Sequence, residues 1–266
     1  MKVTRFKHRT VSVPVKYPVV SCVRRSDRIV FVLLDVETDE GITGIAYAQA
    51  FHPQGAQAIR SCLVLLEALV AGEDPRNIEK LWYRMWETTK LLGNQGLPAF
   101  AVSLVDIALW DILGKSIGLP VCRLLGGEPG IFEAYQSDGL WLVPPSEAAA
   151  QAEHFVGSGF RTLKMRLGRR KQEEDIQALR DIRRAVGERI ELLGDVNQGW
   201  TVDTARSMAG PLAEYRLGWL EEPVEADYME GYAELSQTVQ IPIATGENLY
   251  GVRQFHRFMS LDAVSI

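Results

Sequence analysis

The chain has 266 residues, of which 47% are hydrophobic and 24% are charged, as is average for a folded globular protein. Its net charge of −5 argues against binding to nucleic acid and against a basic membrane-binding patch. No apolar run approaches the roughly 20 residues of a membrane span, and the N-terminus lacks the apolar core of a secretory signal. The length predicts one or two domains.

Three cysteines, Cys22, Cys62 and Cys122, are widely separated along the chain. Their odd number and their spacing match neither a disulfide framework nor a zinc site. Because thiols stay reduced in the cytoplasm and pair in oxidising compartments, this pattern predicts a reduced, cytoplasmic protein.

The first part of the chain has strands followed by helices. Residues 29–50 contain two β-rich runs joined by a turn at Asp39–Gly41, which predicts a hairpin. Three helices are predicted next, over 55–72, 76–90 and 97–117. The last is apolar on most faces and is therefore expected to be buried. Strands followed by helices are typical of an α+β domain, which we place at residues 1–125.

From residue 126 onward, short strand-like runs alternate with helical segments, two of which have start signals at Ser146 and Thr201. The runs begin near residues 131, 161, 191, 217, 241 and 262. Their spacing predicts one βα unit each and thus a parallel sheet, either doubly wound or closed into a barrel. No G-x-G-x-x-G follows the first run, which argues against a dinucleotide-binding fold.

Acidic residues follow three successive runs at equal spacing. Asp195, Glu221 and Glu247 are separated by 221 − 195 = 26 and 247 − 221 = 26 residues. In a (β/α) barrel, residues at the carboxyl ends of the strands meet at one mouth, where active sites lie. Any one of these acids is compatible with an ordinary loop, but the equal spacing of all three indicates a shared site. Oxygen ligands without histidine or cysteine favour Mg²⁺ over zinc.

Two cations precede these acids. Lys164 and Arg166 stand at positions i and i+2, so they project from the same face of a strand, and Asn197 likewise shares a face with Asp195. Cations and a divalent metal suit a carboxylate substrate and the removal of its α-proton, because the resulting enolate needs concentrated positive charge. A solvated strand edge is expected for the other basic residues nearby, which are Arg161, Arg169, Arg170 and Lys171.

Five motifs, in this order and spacing, resemble the mandelate racemase subgroup of the enolase superfamily along nearly the whole chain. They are "AVSLVDIALWDILGKSIGLPVCRLLGG", "LKMR", "GDVNQGW", "WLEEP" and "TGEN". The resemblance implies an α/β protein with an α+β capping domain at residues 1–125 and a modified (β/α)₇β TIM-like barrel at residues 126–266, of which about six strands are present. A homo-oligomer is also expected.

The resemblance also implies site residues. Mg²⁺ would be bound by Asp195, Glu221 and Glu247. Lys164 would neutralise the substrate carboxylate, and Asn197 would contact it. Specificity loops would lie near residues 17–26 and 51–53, with candidate substrate contacts at Arg24, Arg25 and His52.

Two departures from the family pattern matter. The family's second strand commonly carries Lys-x-Lys with the second lysine as a base, but Arg166 stands here, and arginine, with a pKa above ~12, keeps its proton. The sequence also stops at Ile266, before the family's Asp–His pair and a further acid on strands six to eight. Six strands cannot close an eight-stranded barrel, so a longer functional protein is expected. His154 and His256 fall on predicted helices and are not replacements.

These residues predict an enzyme that uses Mg²⁺ to abstract the proton α to a carboxylate. The leading hypothesis is a carbon–oxygen lyase that dehydrates a sugar acid to a 2-keto-3-deoxy acid. Racemisation needs proton delivery on both faces of the carbon, and Arg166 occupies one of those positions. The alternatives are a racemase or epimerase of a 2-hydroxy acid and, from another class, a fragmentary or inactive relative that only binds metal and acid anions.

Overall fold

The computed structural model describes residues 1–266 and divides into two compact units. The first comprises residues Met1–Pro14 and Arg28–Ile131, and the second comprises Val15–Asp27 and Phe132–Ile266. Residues 15–27 therefore belong to the second unit, although they lie near the start of the chain. Each unit has its own hydrophobic core.

A three-stranded sheet contains β1 (Val3–Val20), β2 (Arg25–Thr38) and β3 (Thr43–Gln49), in that order, and belongs to the first unit except for the end of β1 and the start of β2, which lie within residues 15–27. The strands β2 and β3 are antiparallel, and Glu37 is paired with Thr43 next to the turn. The predicted hairpin is confirmed. Along β2 every second residue from Val30 to Val36 is buried, as expected for a strand with one face on a core.

Helices cover the sheet of the first unit. The three predicted helices are present, and a fourth, short helix follows; they are α1 (Pro53–Val70), α2 (Ile78–Thr89), α3 (Leu97–Ile117) and α4 (Val121–Leu124). The sheet and α3 pack so closely at Gly44 that a Cβ there would lie 2.1 Å from the Ala108 carbonyl oxygen. Only glycine fits this contact.

The helix α3 has 21 residues and is long and apolar enough to cross a membrane. The sequence predicts no apolar run of this length, because Asp106 and Asp111 interrupt the apolar residues of the helix. Most of its apolar side chains belong to the core of the first unit, where Leu104, Val105 and Leu109 are fully buried, whereas Ile107 and Ile117 are exposed. A core helix of this length satisfies the same test of length and composition.

The second unit alternates strands and helices. Its sheet is parallel, in the order β4 (Thr162–Arg166), β5 (Glu191–Asp195), β6 (Leu220–Glu221) and β7 (Ile243–Ala244). The helices are α5 (Pro145–Gly157), α6 (Gln172–Val186), α7 (Val202–Ala213), α8 (Met229–Thr238) and α9 (Gly251–Ser260). The predicted Thr201 caps α7 by accepting a hydrogen bond from the Thr204 amide at 3.2 Å. In contrast, α5 begins at Pro145, one residue before Ser146.

The predicted first and sixth runs of this unit do not form strands. Near residue 131 there is only an isolated parallel bridge between Gln136 and Leu163. Near residue 262 the Ser265 amide donates to the Ile243 carbonyl at 2.8 Å. Ile131 and Phe132 are exposed, so the start of the first run has no apolar packing to hold it extended.

Candidate functional site

Three of the predicted residues form a row at the carboxyl end of the parallel sheet. Arg166 on β4 is paired with Asp195 on β5, which is paired with Glu221 on β6. The next position in this row, on β7, is Ala244, and Glu247 lies three residues farther on, in the following loop. The equal spacing of the three acids predicts that each ends its strand at the same level of the sheet. This is correct for Asp195 and Glu221 but wrong for Glu247.

Lys164 is the central cation of this site. Its Nζ lies 3.0 Å from both carboxylate oxygens of Glu221 and 3.2 Å from Oδ2 of Asp195. Its side chain is only 6% exposed. Burial opposes the charged form, but the carboxylates of Asp195 and Glu221 outweigh it and raise the pKa of Lys164 above its ordinary value. Lys164 is therefore an ammonium group at neutral pH.

Arg166 flanks the same aspartate. Its Nε lies 3.4 Å from Oδ2 of Asp195, and its guanidinium carbon lies 4.4 Å from the centre of the Trp141 ring. Glu221 also accepts a hydrogen bond from Trp219 Nε1 at 3.1 Å. Lys164 and Arg166 therefore project from one face of β4, as predicted, into a buried cluster of alternating charges.

A turn with unusual backbone geometry carries Asn197. The Asn197 amide donates to Oδ1 of Asp195 at 2.8 Å, and Asn197 and Gln198 have φ angles of 48° and 65°. Such left-handed angles are unfavourable for residues other than glycine and are found often at functional sites. Cys22 donates to the carbonyl of Val196 at 2.8 Å, so residues 15–27 contact this turn within the second unit.

The acidic residues fit a hard divalent cation by their chemistry. With the side chains as placed, no three histidine, cysteine or acidic residues are close enough to ligate one ion, and Lys164 contacts two of the carboxylates. Loss of surrounding water, together with the charges of Asp195 and Glu221, raises the pKa of Glu247, although its side chain still reaches solvent. These carboxylates repel one another, and an all-oxygen set that needs compensating charge suits Mg²⁺.

A fourth carboxylate, which the sequence analysis missed, cross-links the loops of this site. Glu222 is 1% exposed and accepts hydrogen bonds from Asn248 Nδ2 at 2.8 and 2.9 Å and from Gln198 Nε2 at 3.1 Å. Gln198 Oε1 in turn accepts from the Ala226 amide at 2.9 Å. Gln198, Glu222 and Asn248 lie close in sequence to the predicted site residues, in "VNQ", "EEP" and "GEN". Their contact with one another could not be predicted locally, because it depends on which strands are neighbours in the sheet.

The pH dependence of stability should reveal Glu222. Burial is the main cause that raises its pKa from 4.5 to about 7. The folded state then binds more protons than the unfolded state between these values, so the free energy of unfolding should fall as pH rises from 4.5 to about 7 and stay level above. At ~1.4 kcal/mol per pH unit the decline is about 3 kcal/mol.

We expect Glu222→Gln to lack this decline. Denaturant unfolding of the metal-free protein and of the variant across that pH range measures the free energy of unfolding of each. The contributions of the other titrating groups cancel in the difference between the two proteins. Equal pH dependence in both proteins would contradict a raised pKa for Glu222.

The expectation that Arg169 is solvated is wrong. Its Nη1 lies 2.9 Å from Oδ1 of Asp175, and the two side chains are 6% and 0% exposed. Arg169 also donates to the Val143 carbonyl at 2.9 Å, and Asp175 accepts from the Gly168 amide at 2.9 Å. The turn at Gly168, with a φ of 100°, directs the chain so that Arg169 faces inward. The remaining basic residues of this stretch are exposed, namely Arg161, Arg170 and Lys171.

The histidines have structural positions. His52 accepts a hydrogen bond from the Gly55 amide at 3.0 Å and so caps α1 in the first unit. His154 lies on α5 and His256 on α9, as predicted. Arg24 and Arg25, the latter being the first residue of β2, belong to the second unit, whereas His52 belongs to the first.

Comparisons with known proteins identify the family. The model of the mandelate racemase/muconate lactonizing enzyme N-terminal domain matches residues 3–126, and the enolase C-terminal domain-like model matches residues 147–266. Together they account for most of the chain. The matched ranges include every residue of the charged row described above.

Named relatives are identical to this chain at about a third of the aligned residues. A 3,6-anhydro-alpha-L-galactonate cycloisomerase of Streptomyces coelicolor is 32% identical over 88% of this chain and 65% of its own length. An arabinonate dehydratase of Saccharolobus solfataricus is 32% identical over 88% of this chain and 63% of its own length. The chain thus spans less than two thirds of either relative. Other relatives are named as dehydratases, cycloisomerases and racemases.

A solved structure agrees with the fold. The crystal structure of an enolase from Bradyrhizobium, complexed with magnesium and mandelic acid, is 31% identical and superposes with a TM-score of 0.91. The match covers 99% of this chain and 72% of that one. This agreement supports the predicted fold, an N-terminal α+β region followed in the chain by a partial TIM barrel. The chain belongs to the mandelate racemase/muconate lactonizing enzyme family of the enolase superfamily.

Proposed function

We propose that this protein dehydrates a sugar acid with the help of Mg²⁺. The C2–H bond and the C3–O bond of a 2,3-dihydroxy acid break, water leaves, and the resulting enol becomes a 2-keto-3-deoxy acid. The observation that carries the proposal is the row of the buried Arg166 and Asp195 and the partly buried Glu221, with Lys164 paired to both carboxylates. Relatives named as sugar-acid dehydratases support the substrate class.

Lys164 is the group that would neutralise the substrate carboxylate. Its neighbours Asp195 and Glu221 keep it charged, so it is unsuited to accept the α-proton. A fixed ammonium beside the carboxylate stabilises the negative charge that develops there when the proton leaves, and a buried site strengthens this effect.

Asp195, Glu221 and Glu247 are the residues that would hold Mg²⁺. When bound, the ion supplies positive charge that favours loss of the α-proton from a carboxylate substrate. Asn197, on the strained turn next to Asp195, would donate a hydrogen bond from its side-chain amide to the substrate. The tight turn fixes its position before the substrate binds.

Arg166 favours elimination over racemisation. A racemase needs a proton-transfer group on each face of the α-carbon, and a guanidinium held between Asp195 and Trp141 is a poor proton carrier. Elimination needs one base and a path for the departing hydroxyl. We also propose a reducing, cytoplasmic setting, in agreement with the three free cysteines, and a homo-oligomer.

The reaction can be identified in deuterated water. We expect the protein with Mg²⁺ to convert at least one member of a panel of aldonic and aldaric acids to a keto acid, with deuterium at C3 of the product. Proton NMR and a carbonyl-specific reagent measure both. Deuterium in the opposite epimer without keto acid would make the protein a racemase or epimerase, and ring opening without loss of water would make it a cycloisomerase.

A further inference from the structure

The buried guanidinium of Arg166 has hydrogen-bond donors that no protein atom accepts. Its Nε and Nη1 are buried and donate to no protein atom. The nearest carboxylate oxygen, Oδ2 of Asp195, lies 3.4 Å from Nε and balances charge without forming a hydrogen bond. Donors left this way destabilise a protein unless something accepts from them, so they indicate a place where an acceptor binds.

Trp141 adds a third donor at the same place. Its Nε1 is also buried without an acceptor, and its ring lies 4.4 Å from the guanidinium carbon of Arg166. A flat guanidinium against an indole ring is a cation–π contact, which limits the rotation of both groups. The three unsatisfied nitrogens therefore belong to one compact pair of side chains, the Trp141–Arg166 pair.

The protein holds this pair in place before any ligand arrives. The Arg166 amide donates to the carbonyl of Leu140 at 2.9 Å, and Arg169 Nη2 donates to the carbonyl of Val143 at 2.9 Å. The backbone on both sides of Trp141 is thus attached to β4 and to the loop that follows it. A binding group that is already ordered loses less entropy when its ligand binds.

We propose that the Trp141–Arg166 pair binds a carboxylate of the substrate. A planar guanidinium fork matches the two oxygens of a carboxylate, and an adjacent indole N–H supplies a further donor. This inference rests on the proposed function, because the ligand is the same acid. It goes beyond that function by assigning Trp141 to the site and by making Arg166 a binding group rather than a proton carrier.

Titration calorimetry of the Mg²⁺-loaded protein tests the pair with two probes, galactonate, which has one carboxylate, and galactarate, which has two. We expect Trp141→Phe to weaken binding about tenfold, because phenylalanine keeps an aromatic ring but loses the donor. Arg166→Lys should weaken it at least as much, since it removes the fork. Trp110→Phe in the first unit and the exposed Arg170→Lys are matched controls that should bind normally.

Indole ¹⁵N NMR tests the contact directly. Of the six tryptophan signals, the one missing in Trp141→Phe should move when the acid binds. The two probes identify which carboxylate the pair binds. Equal losses of affinity for both acids mean that the pair binds the carboxylate that both acids share. A loss of affinity for galactarate alone means that the pair binds its second carboxylate. Unchanged affinity in both variants, a Trp141 signal that does not move, or no binding of either acid would overturn the proposal.

The same samples separate this inference from the proposed function. If the acid binds through the pair but no keto acid forms, the proposed reaction is wrong and the pair stands. If keto acid forms while both variants bind normally, the reaction stands and the pair is wrong. Melting temperatures within the range of the controls exclude loss of folding as the cause of weak binding.

Discussion

Glu221→Gln should weaken Mg²⁺ binding at least about a hundredfold, since the loss of even an indirect partner of a metal ligand typically costs 10–100-fold. The side chain keeps its size, so the effect comes from charge and from hydrogen bonding. Both carboxylate oxygens of Glu221 accept from Lys164, and Oε2 also accepts from Trp219. Glutamine offers one acceptor and would point its amide N–H groups at one of these donors.

Calorimetric titration with Mg²⁺ measures the effect, and the yield of keto acid should fall with it. Glu191→Gln is the matched control, because Glu191 begins the strand that Asp195 ends and therefore lies at the amino end of the parallel sheet, away from the charged row. We expect its affinity for Mg²⁺ to equal that of the unmodified protein. An unchanged affinity in Glu221→Gln would remove Glu221 from the metal site.

Asp175→Asn should lower the free energy of unfolding by about 3–5 kcal/mol, the usual loss when one partner of a buried ion pair is removed. Asp175 is 0% exposed and accepts hydrogen bonds from the Gly168 and Arg169 amides and from the Arg169 guanidinium. Without its charge, Arg169 remains a buried cation with no counter-charge. The loop between β4 and α6 then loses its main attachment.

Chemical denaturation measures the change, with Asp203→Asn as the control. Asp203 forms an ion pair with Arg206, but its side chain is 90% exposed, so its loss should cost less than about 1 kcal/mol. Replacing both members of the buried pair, as in Arg169→Met with Asp175→Leu, should restore part of the stability, because no unpaired charge remains. Equal losses for the buried and exposed pairs would contradict the argument.

Local sequence signals were sufficient for most of the helices and strands, although the predicted runs near residues 131 and 262 form no strand. The hairpin turn at Asp39–Gly41, the three helices that follow it and the cap at Thr201 depend on residues within a few positions of each other. The same is true of Lys164 and Arg166, whose common face follows from the two-residue repeat of a strand. Regular spacing also placed Asp195 and Glu221 side by side.

The sequence by itself therefore determined the family, the alternation of strands and helices, and the residue types of the charged row. Only the tertiary structure decided which of them meet. Arg169 turned inward to Asp175, Glu222 joined the loops after three strands, and Trp141 lay over Arg166. These contacts join residues on different strands and loops, and their formation depends on sheet register, turn geometry and the cost of burying a charge, which no local pattern encodes.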